Sequence, residues 1–211
     1  MRRLINMGIY FYIIGLLVLS LGIGFAVQSS LGTSAYDALL VGLFYTFGLS
    51  IGTWEIIVGF FTIMMNALLV KKRPELIAFL TSIVTGIGID MWIFILNLFQ
   101  FHETTFGKWL YLMLSIILTG LGIAIYLQSR IAPNPIDRTM IIISDWTGWT
   151  VTYSRFAISI VLIIIAFFFN GAIGIGTLFN AVFVGMFISM FLPYVTRQQH
   201  KSPAKATHDS A

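Results

Sequence analysis

Apolar residues fall in long blocks along this chain rather than in the narrow stripes of a surface helix or a half-buried strand. Two of the blocks, 34–47 and 134–146, would cover only about 20 Å as helices, less than the roughly 30 Å hydrocarbon core of a bilayer. The other six are long enough to cross it: 4–27, 54–70, 76–99, 109–127, 153–170 and 176–195. The pattern therefore predicts six membrane spans and two half-helices.

Composition supports a lipid environment. Of the 211 residues 58% are hydrophobic and 9% are charged, whereas soluble domains carry about 25% charged residues. A backbone in lipid must satisfy its own hydrogen bonds, which favours helices for blocks of this length. The predicted fold class is all-α, a polytopic transmembrane helix bundle. The first block far exceeds the apolar region of a signal peptide, so we interpret it as a span.

The chain repeats itself at an offset of 100 residues. Gln28 recurs as Gln128 and Asp37 as Asp137, with no gap needed between the matching stretches. Matching Leu or Ile is expected by chance among membrane helices, but matching Gln and Asp at one offset is not. The predicted organisation is a transmembrane domain, 1–196, with repeat 1 over about 4–99 and repeat 2 over about 105–196, and a disordered cytoplasmic tail, 197–211.

The positions of lysine and arginine distinguish two topologies. If both half-helices are re-entrant, each repeat crosses the membrane three times, the repeats are inverted, and every basic residue except Lys108 faces the side of the N-terminus. If all eight blocks span, the basic residues divide about seven to five between the two sides. The positive-inside rule favours inverted repeats with both termini in the cytoplasm.

Each half-helix begins with a capping sequence. Ser34 and Asn134 are predicted N-caps, and Asp37 and Asp137 follow three residues later, as in a capping box. One interpretation is that the aspartates only cap their helices. The other adds that two helix N-termini meet near the midplane and present unpaired N–H groups to a ligand, as in transporters built from inverted repeats.

The polar loops that precede the half-helices are candidates for a substrate path. They start at Gln28 and Gln128 and are too polar to face lipid, so they must line protein or water. Arg138 stands where repeat 1 has Ala38, and a cation at this place would favour an anionic ligand held by two hydrogen bonds. The alternative is an interfacial arginine that reaches the headgroups or pairs with Asp145.

Asp90 lies within a predicted span, where an acidic residue is by default a functional hypothesis. It could couple protons, pair with Arg138, or belong to a buried structural pair. Glu55 and Arg155 occupy equivalent positions at the starts of their spans. We interpret these two as interface residues with little functional weight.

No enzyme, metal site or cofactor is predicted. The chain has no cysteine, and its three histidines lie in a predicted external loop or in the tail. Metal-ligand spacings and phosphate-binding glycine loops are missing from the sequence. The basic residues lie in loops and termini, so no nucleic-acid partner is expected. The predicted partners are the bilayer and a small solute, for which Arg138 would favour an anion, while the oligomeric state is not indicated.

Several short motifs resemble the signature of the YczE/YyaS/YitT group of bacterial membrane proteins. They are Leu-Gly-Thr-Ser-Ala-Tyr-Asp at 31–37, Gly-Leu at 42–43, Ser-Ile-Gly at 50–52 and Gly-Ile-Gly-Ile-Asp at 86–90. The similarity covers nearly the whole chain except the tail and is greatest to the YczE-like branch, which lacks an extra soluble domain. It implies a multi-pass protein of the bacterial cytoplasmic (inner) membrane, and supplies no substrate, reaction or catalytic residue.

The architecture predicts a small transporter or permease whose solute path lies at the interface of the two repeats. The alternative is a membrane accessory protein that transports nothing and binds another membrane component through a lipid-facing stripe of small residues. The residues predicted to line or gate the path are Gln28, Asp37, Asp90, Gln128, Asp137 and Arg138.

Overall fold

The computed structural model describes residues 2–99, 104–129, 131 and 133–201, and all regular structure in these ranges is helical. The eight helices are α1 Arg2–Ser29, α2 Ala35–Phe47, α3 Ile51–Val70, α4 Leu76–Asn97, α5 Thr105–Gln128, α6 Pro135–Thr147, α7 Val151–Phe168 and α8 Ile175–Lys201. Six of them are long and apolar enough to cross a membrane, whereas α2 and α6 have 13 residues each. The all-helical class and the six long apolar helices are confirmed.

Some predictions concern residues outside the described ranges. These include the cytoplasmic position of Arg130, the external position of His102 and most of the disordered tail. Helix α8 continues to Lys201, so the first residues of the predicted tail are helical.

Helices α1 and α5 pack closely along their lengths at the centre of the bundle and run antiparallel. Gly15 of α1 lies against the backbone of Tyr126, and Gly122 of α5 lies against the backbone of Leu19. Residue numbers therefore increase along α1 where they decrease along α5, as in an antiparallel pair. A Cβ atom at either glycine would overlap the backbone of the facing helix, so glycine is what allows this close approach.

Helices α1 and α4 run parallel. The Tyr12 hydroxyl is hydrogen-bonded to the Thr81 hydroxyl near one end of the pair, and Gln28 Nε2 donates to Asn97 Oδ1 at 2.8 Å near the other. The sequence separation is 69 at both places, which is the register of two helices that point the same way.

Helices α5 and α8 are parallel in the same sense. Gly120 lies against the side chain of Phe187, and Gln128 Nε2 donates to Thr196 Oγ1 at 2.5 Å. The two glutamines at equivalent positions of the sequence repeat thus tie the ends of α1 and α5 to the fourth helix of their own half.

The two halves also contact each other through equivalent pairs of helices, because α2 packs on α7 and α3 packs on α6. One difference between the halves stands out. Helix α3 packs closely on α4, but α7 does not pack to a comparable extent on α8. Consequently α7 and α8 are the least buried of the six long helices.

Candidate functional site

The N-terminus of α2 is closed by Ser34 and Asp37. The Ser34 hydroxyl accepts from the Asp37 N–H at 3.3 Å and donates to Asp37 Oδ2 at 2.6 Å. Ser34 is the N-cap residue of α2, and Asp37 is buried, with 7% of its surface exposed. The carboxylate therefore bonds to the side chain of the cap, rather than to a backbone N–H as in a standard capping box.

The N-terminus of α6 is built differently. Asn134 Oδ1 accepts from the Ile136 N–H at 3.2 Å, and Pro135 occupies the first turn. Asp137 does not complete a capping box: it accepts from the Tyr126 hydroxyl at 2.9 Å and pairs with Arg155 Nη2 at 3.5 Å. Its contacts thus reach α5 and α7, because those helices offer a phenol and a cation.

The burial of Glu55 corrects its interpretation as an interface residue. Its side chain is buried, with 1% exposed, in the first turns of α3. Tyr36 and Asp37 of α2 are its polar neighbours. Glu55 Oε1 makes no hydrogen bond within the described part of the chain. Arg155 also has a specific partner, Asp137.

Asp90 accepts hydrogen bonds from two residues at the start of α3. Its Oδ2 accepts from the Ser50 hydroxyl at 2.5 Å and its Oδ1 accepts from the Gly52 N–H at 2.8 Å. The intramembrane carboxylate therefore satisfies donors that a helix start leaves unpaired. These contacts are of the structural kind, and Arg138 pairs with Glu75 instead of Asp90.

Arg138 lies beside a small cavity at the seam between α3 and α6. Its Nη2 pairs with Glu75 Oε1 at 3.2 Å, so Asp145 and Asp90 are not its partners. The cavity is also lined by Asn66, Lys72 and Arg73. Three cations and one carboxylate face this space, which leaves it with excess positive charge.

In the described part of the chain, the residues of the predicted site lie in several separate places. Gln28 and Gln128 donate hydrogen bonds to Asn97 and Thr196 at helix ends. Asp37 lies with Glu55 at the α2–α3 junction, while Arg138 lies at the α3–α6 seam.

Five residues that the structure places beside the predicted ones had no predicted site role. They are Glu55, Tyr126, Glu75, Lys72 and Arg73. For Glu55 a signal existed, because the equivalent position of the other repeat holds the opposite charge, Arg155. Lys72 and Arg73 were used only to infer the topology. Within the described ranges no three His, Asp or Glu side chains are grouped so that they could hold a metal ion.

Comparison with known proteins places the chain in a family. The model of a family of unknown function, DUF6198, matches residues 6–193. This chain belongs to that family. Relatives in Bacillus subtilis (strain 168) include the uncharacterized protein YyaS, 41% identical over 187 residues, which are 89% of this chain and 93% of YyaS. The uncharacterized membrane protein YczE of the same strain is 30% identical over 198 residues, 93% of this chain and 91% of YczE.

A further relative comes from another genus. An uncharacterized protein of Haemophilus influenzae is 26% identical over 184 residues, 87% of this chain and 82% of that protein. No solved structure matches this chain significantly. The predicted resemblance to the YczE/YyaS group is confirmed, and the DUF6198 chain described here is a membrane protein with multiple helical spans.

Proposed function

We propose that this protein is a small transporter that moves an anionic solute along the interface of two inverted repeats. It would lie in the bacterial inner membrane with both termini in the cytoplasm, and it would act without enzymatic chemistry. The observation that carries the proposal is the cationic cavity at the α3–α6 seam, which Arg138, Lys72 and Arg73 line.

Helix directions support the inverted repeat. Four successive full spans would leave the first and fourth antiparallel, whereas α1 and α4 run parallel, as they do when α2 does not cross the membrane. The antiparallel packing of α1 on α5 supports opposite orientations of the two halves. These helix directions follow from contacts alone and do not depend on where the basic residues lie.

The two seams between the halves differ in a way that suits a path open on one side. At the α2–α7 seam, Gly42 and Ala38 lie directly against Gly171, and Gly32 lies against Gly174. Glycine contacts of this kind leave no room for a solute. The α3–α6 seam instead contains the cavity, with Arg138 at the position equivalent to Ala38.

The α6 N-terminus adds to the anion preference of this cavity. Pro135 lies in its lining and is the first residue of α6. Helix N-termini carry partial positive charge, and arginine can hold a carboxylate or phosphate through two parallel hydrogen bonds. A small carboxylate or oxyanion is therefore the class of solute that this cavity suits.

Transport of anions by purified protein tests the proposal. Proteoliposomes loaded in turn with chloride, nitrate, phosphate, acetate and lactate should show protein-dependent flux of at least one of them. We expect Arg138→Ala to lower that flux at least about tenfold, because the desolvated anion loses a charge-assisted partner worth about 1.5–3 kcal/mol.

Lys108→Ala is the matched control, since it removes one positive charge at the start of α5, outside the cavity lining. It should leave the flux unchanged. Absence of flux for all five anions, or equal loss in both variants, would count against an anion path at Arg138.

Topology makes a separate prediction. The chain has no cysteine, so single cysteines at Lys72, Thr104 and Thr150 can report their own side of the membrane. We expect a membrane-impermeant thiol reagent to label position 104 in intact cells and to leave 72 and 150 unlabelled until the cells are opened. Labelling of 72 with protection of 104 would contradict the inverted arrangement.

One observation favours the alternative, an accessory protein that binds another membrane component. Ala181, Gly185 and Ser189 form an exposed stripe of small residues on α8, and nothing lies within contact of a Cβ at Gly185. The corresponding face of α4 packs on α3 through Ser82 and Gly86. Co-purification of a stoichiometric membrane partner, lost in Gly185→Leu and retained in Asp90→Asn, would support this alternative.

A further inference from the structure

Equivalent positions in the two repeats carry different charge pairs. In repeat 2, Asp137 pairs with Arg155 at 3.5 Å, and both side chains are partly exposed, at 28% and 49%. In repeat 1 the equivalent residues are Asp37 and Glu55, which are 7% and 1% exposed. The better-buried pair thus lacks the cation that its counterpart has.

Among the residues that the structure describes, no cation pairs with Asp37 or Glu55. Ser34 and Tyr36, on the same turn as Asp37, are neutral hydrogen-bonding groups. From α4, which packs on α3, comes Asp90, an acidic residue that accepts hydrogen bonds at the start of α3. The ion pairs among the described residues place Arg138 on Glu75 and Arg155 on Asp137.

Helices α7 and α6, the neighbours of α2 and α3 from the other half, carry Arg155 and Asp137, which pair with each other. Since these two side chains are paired with each other, neither is a partner of Asp37 or Glu55 within the described part of the chain.

A charge on each of two neighbouring carboxylates removed from water is unfavourable, because desolvation and repulsion both oppose the doubly ionised state. Glu55 Oε1 is fully buried and makes no hydrogen bond in the described part of the chain. One proton would relieve both problems, since it removes a charge and turns one carboxylate into a carboxylic acid that can donate a hydrogen bond.

We infer that Asp37 and Glu55 hold one exchangeable proton between them and form the proton-coupling site of the protein. The binding step takes a proton from water and changes the pair from two negative charges to one, and release reverses it. The coupling role rests on the transport proposed above, whereas proton binding itself does not. A divalent metal is a poorer occupant, because no third acidic or histidine ligand joins the pair among the described residues.

Infrared spectroscopy of the purified full-length protein tests proton binding without any transport. Difference spectra between acidic and alkaline buffers should contain a carboxylic-acid C=O band that disappears with rising pH. We expect Glu55→Gln to remove or displace the band, Asp37→Asn to shift its midpoint, and Asp145→Asn, at an exposed carboxylate, to leave it unchanged.

Two results would overturn the inference. One is a band that is the same in wild type, Glu55→Gln and Asp37→Asn when thermal unfolding shows that both variants are folded. The other is a band that responds to Na⁺ at constant pH and not to pH itself, since this would indicate a sodium ion instead of a proton.

Transport assays test the coupling role. In proteoliposomes with an imposed pH gradient, wild type should accumulate the anion, whereas Glu55→Gln should lose gradient-driven accumulation at least about tenfold and retain exchange of anion for anion. Equal gradient-driven accumulation in Glu55→Gln would overturn the coupling role. If the infrared band titrates as expected but no anion moves, the transport proposal fails while the proton site stands.

Discussion

Replacing Asp90 with alanine should lower the free energy of unfolding by about 3 kcal/mol. The substitution removes the acceptor of the Ser50 hydroxyl and of the Gly52 N–H at the start of α3. A hydrogen bond to a charged group is worth about 1.5–3 kcal/mol, and a donor left unpaired away from water adds a desolvation cost. Denaturant titration of the detergent-solubilised protein, followed by tryptophan fluorescence, measures the change.

Asp145→Ala is the matched control, because it also removes one carboxylate but at an exposed position near the end of α6. It should change stability by less than about 0.5 kcal/mol. Asp90→Asn should fall between the two, since its side-chain oxygen can still accept one of the bonds. Wild-type stability in Asp90→Ala would show that α3 does not depend on this carboxylate.

Replacing Gly122 with valine should be at least as costly, about 3 kcal/mol. A side chain at this position of α5 would overlap the backbone of Leu19 in α1, and a backbone cannot move aside as a flexible side chain can. Overpacking commonly costs 1–3 kcal/mol, and here it would force apart the two central helices. A reduced unfolding temperature and a lower yield of folded protein would report the effect.

Gly185→Val provides the comparison within another long helix. The Cβ at this position of α8 meets nothing within 4 Å, so the same chemical change should alter stability by less than about 1 kcal/mol. Equal destabilisation by the two substitutions would mean that helix propensity, and not the α1–α5 contact, sets the cost.

The hydrophobic blocks were sufficient to predict all six long helices, because a helix that crosses lipid needs about 20 apolar residues. The pattern predicted the ends of these helices less well. Helix α3 starts at Ile51, earlier than the apolar block at 54, because Ser50 caps it and Asp90 receives its donors. Such a start depends on a side chain 40 positions away, which no local pattern contains.

The candidate site could be predicted only in part for a similar reason. The capping residue Ser34 is local to its helix and visible in the sequence. The burial of Glu55 results from the packing of α2 and α3 with their neighbours, so its position at the start of a span suggested an interface instead. Likewise Arg138 meets Glu75 across a seam between two repeats, where sequence separation gives no indication of contact.

The unequal packing of the two halves has a mechanical consequence. Helix α3 is closed on α4 through Gly52 and Gly86, while the small-residue stripe of α8 stands open beside α7. If the halves exchanged these conformations, α7 would close on α8 and α3 would leave α4. For the transporter proposed above, such an exchange would close the arginine-lined cavity and loosen the glycine seam, and so would supply the second conformation of an alternating-access cycle.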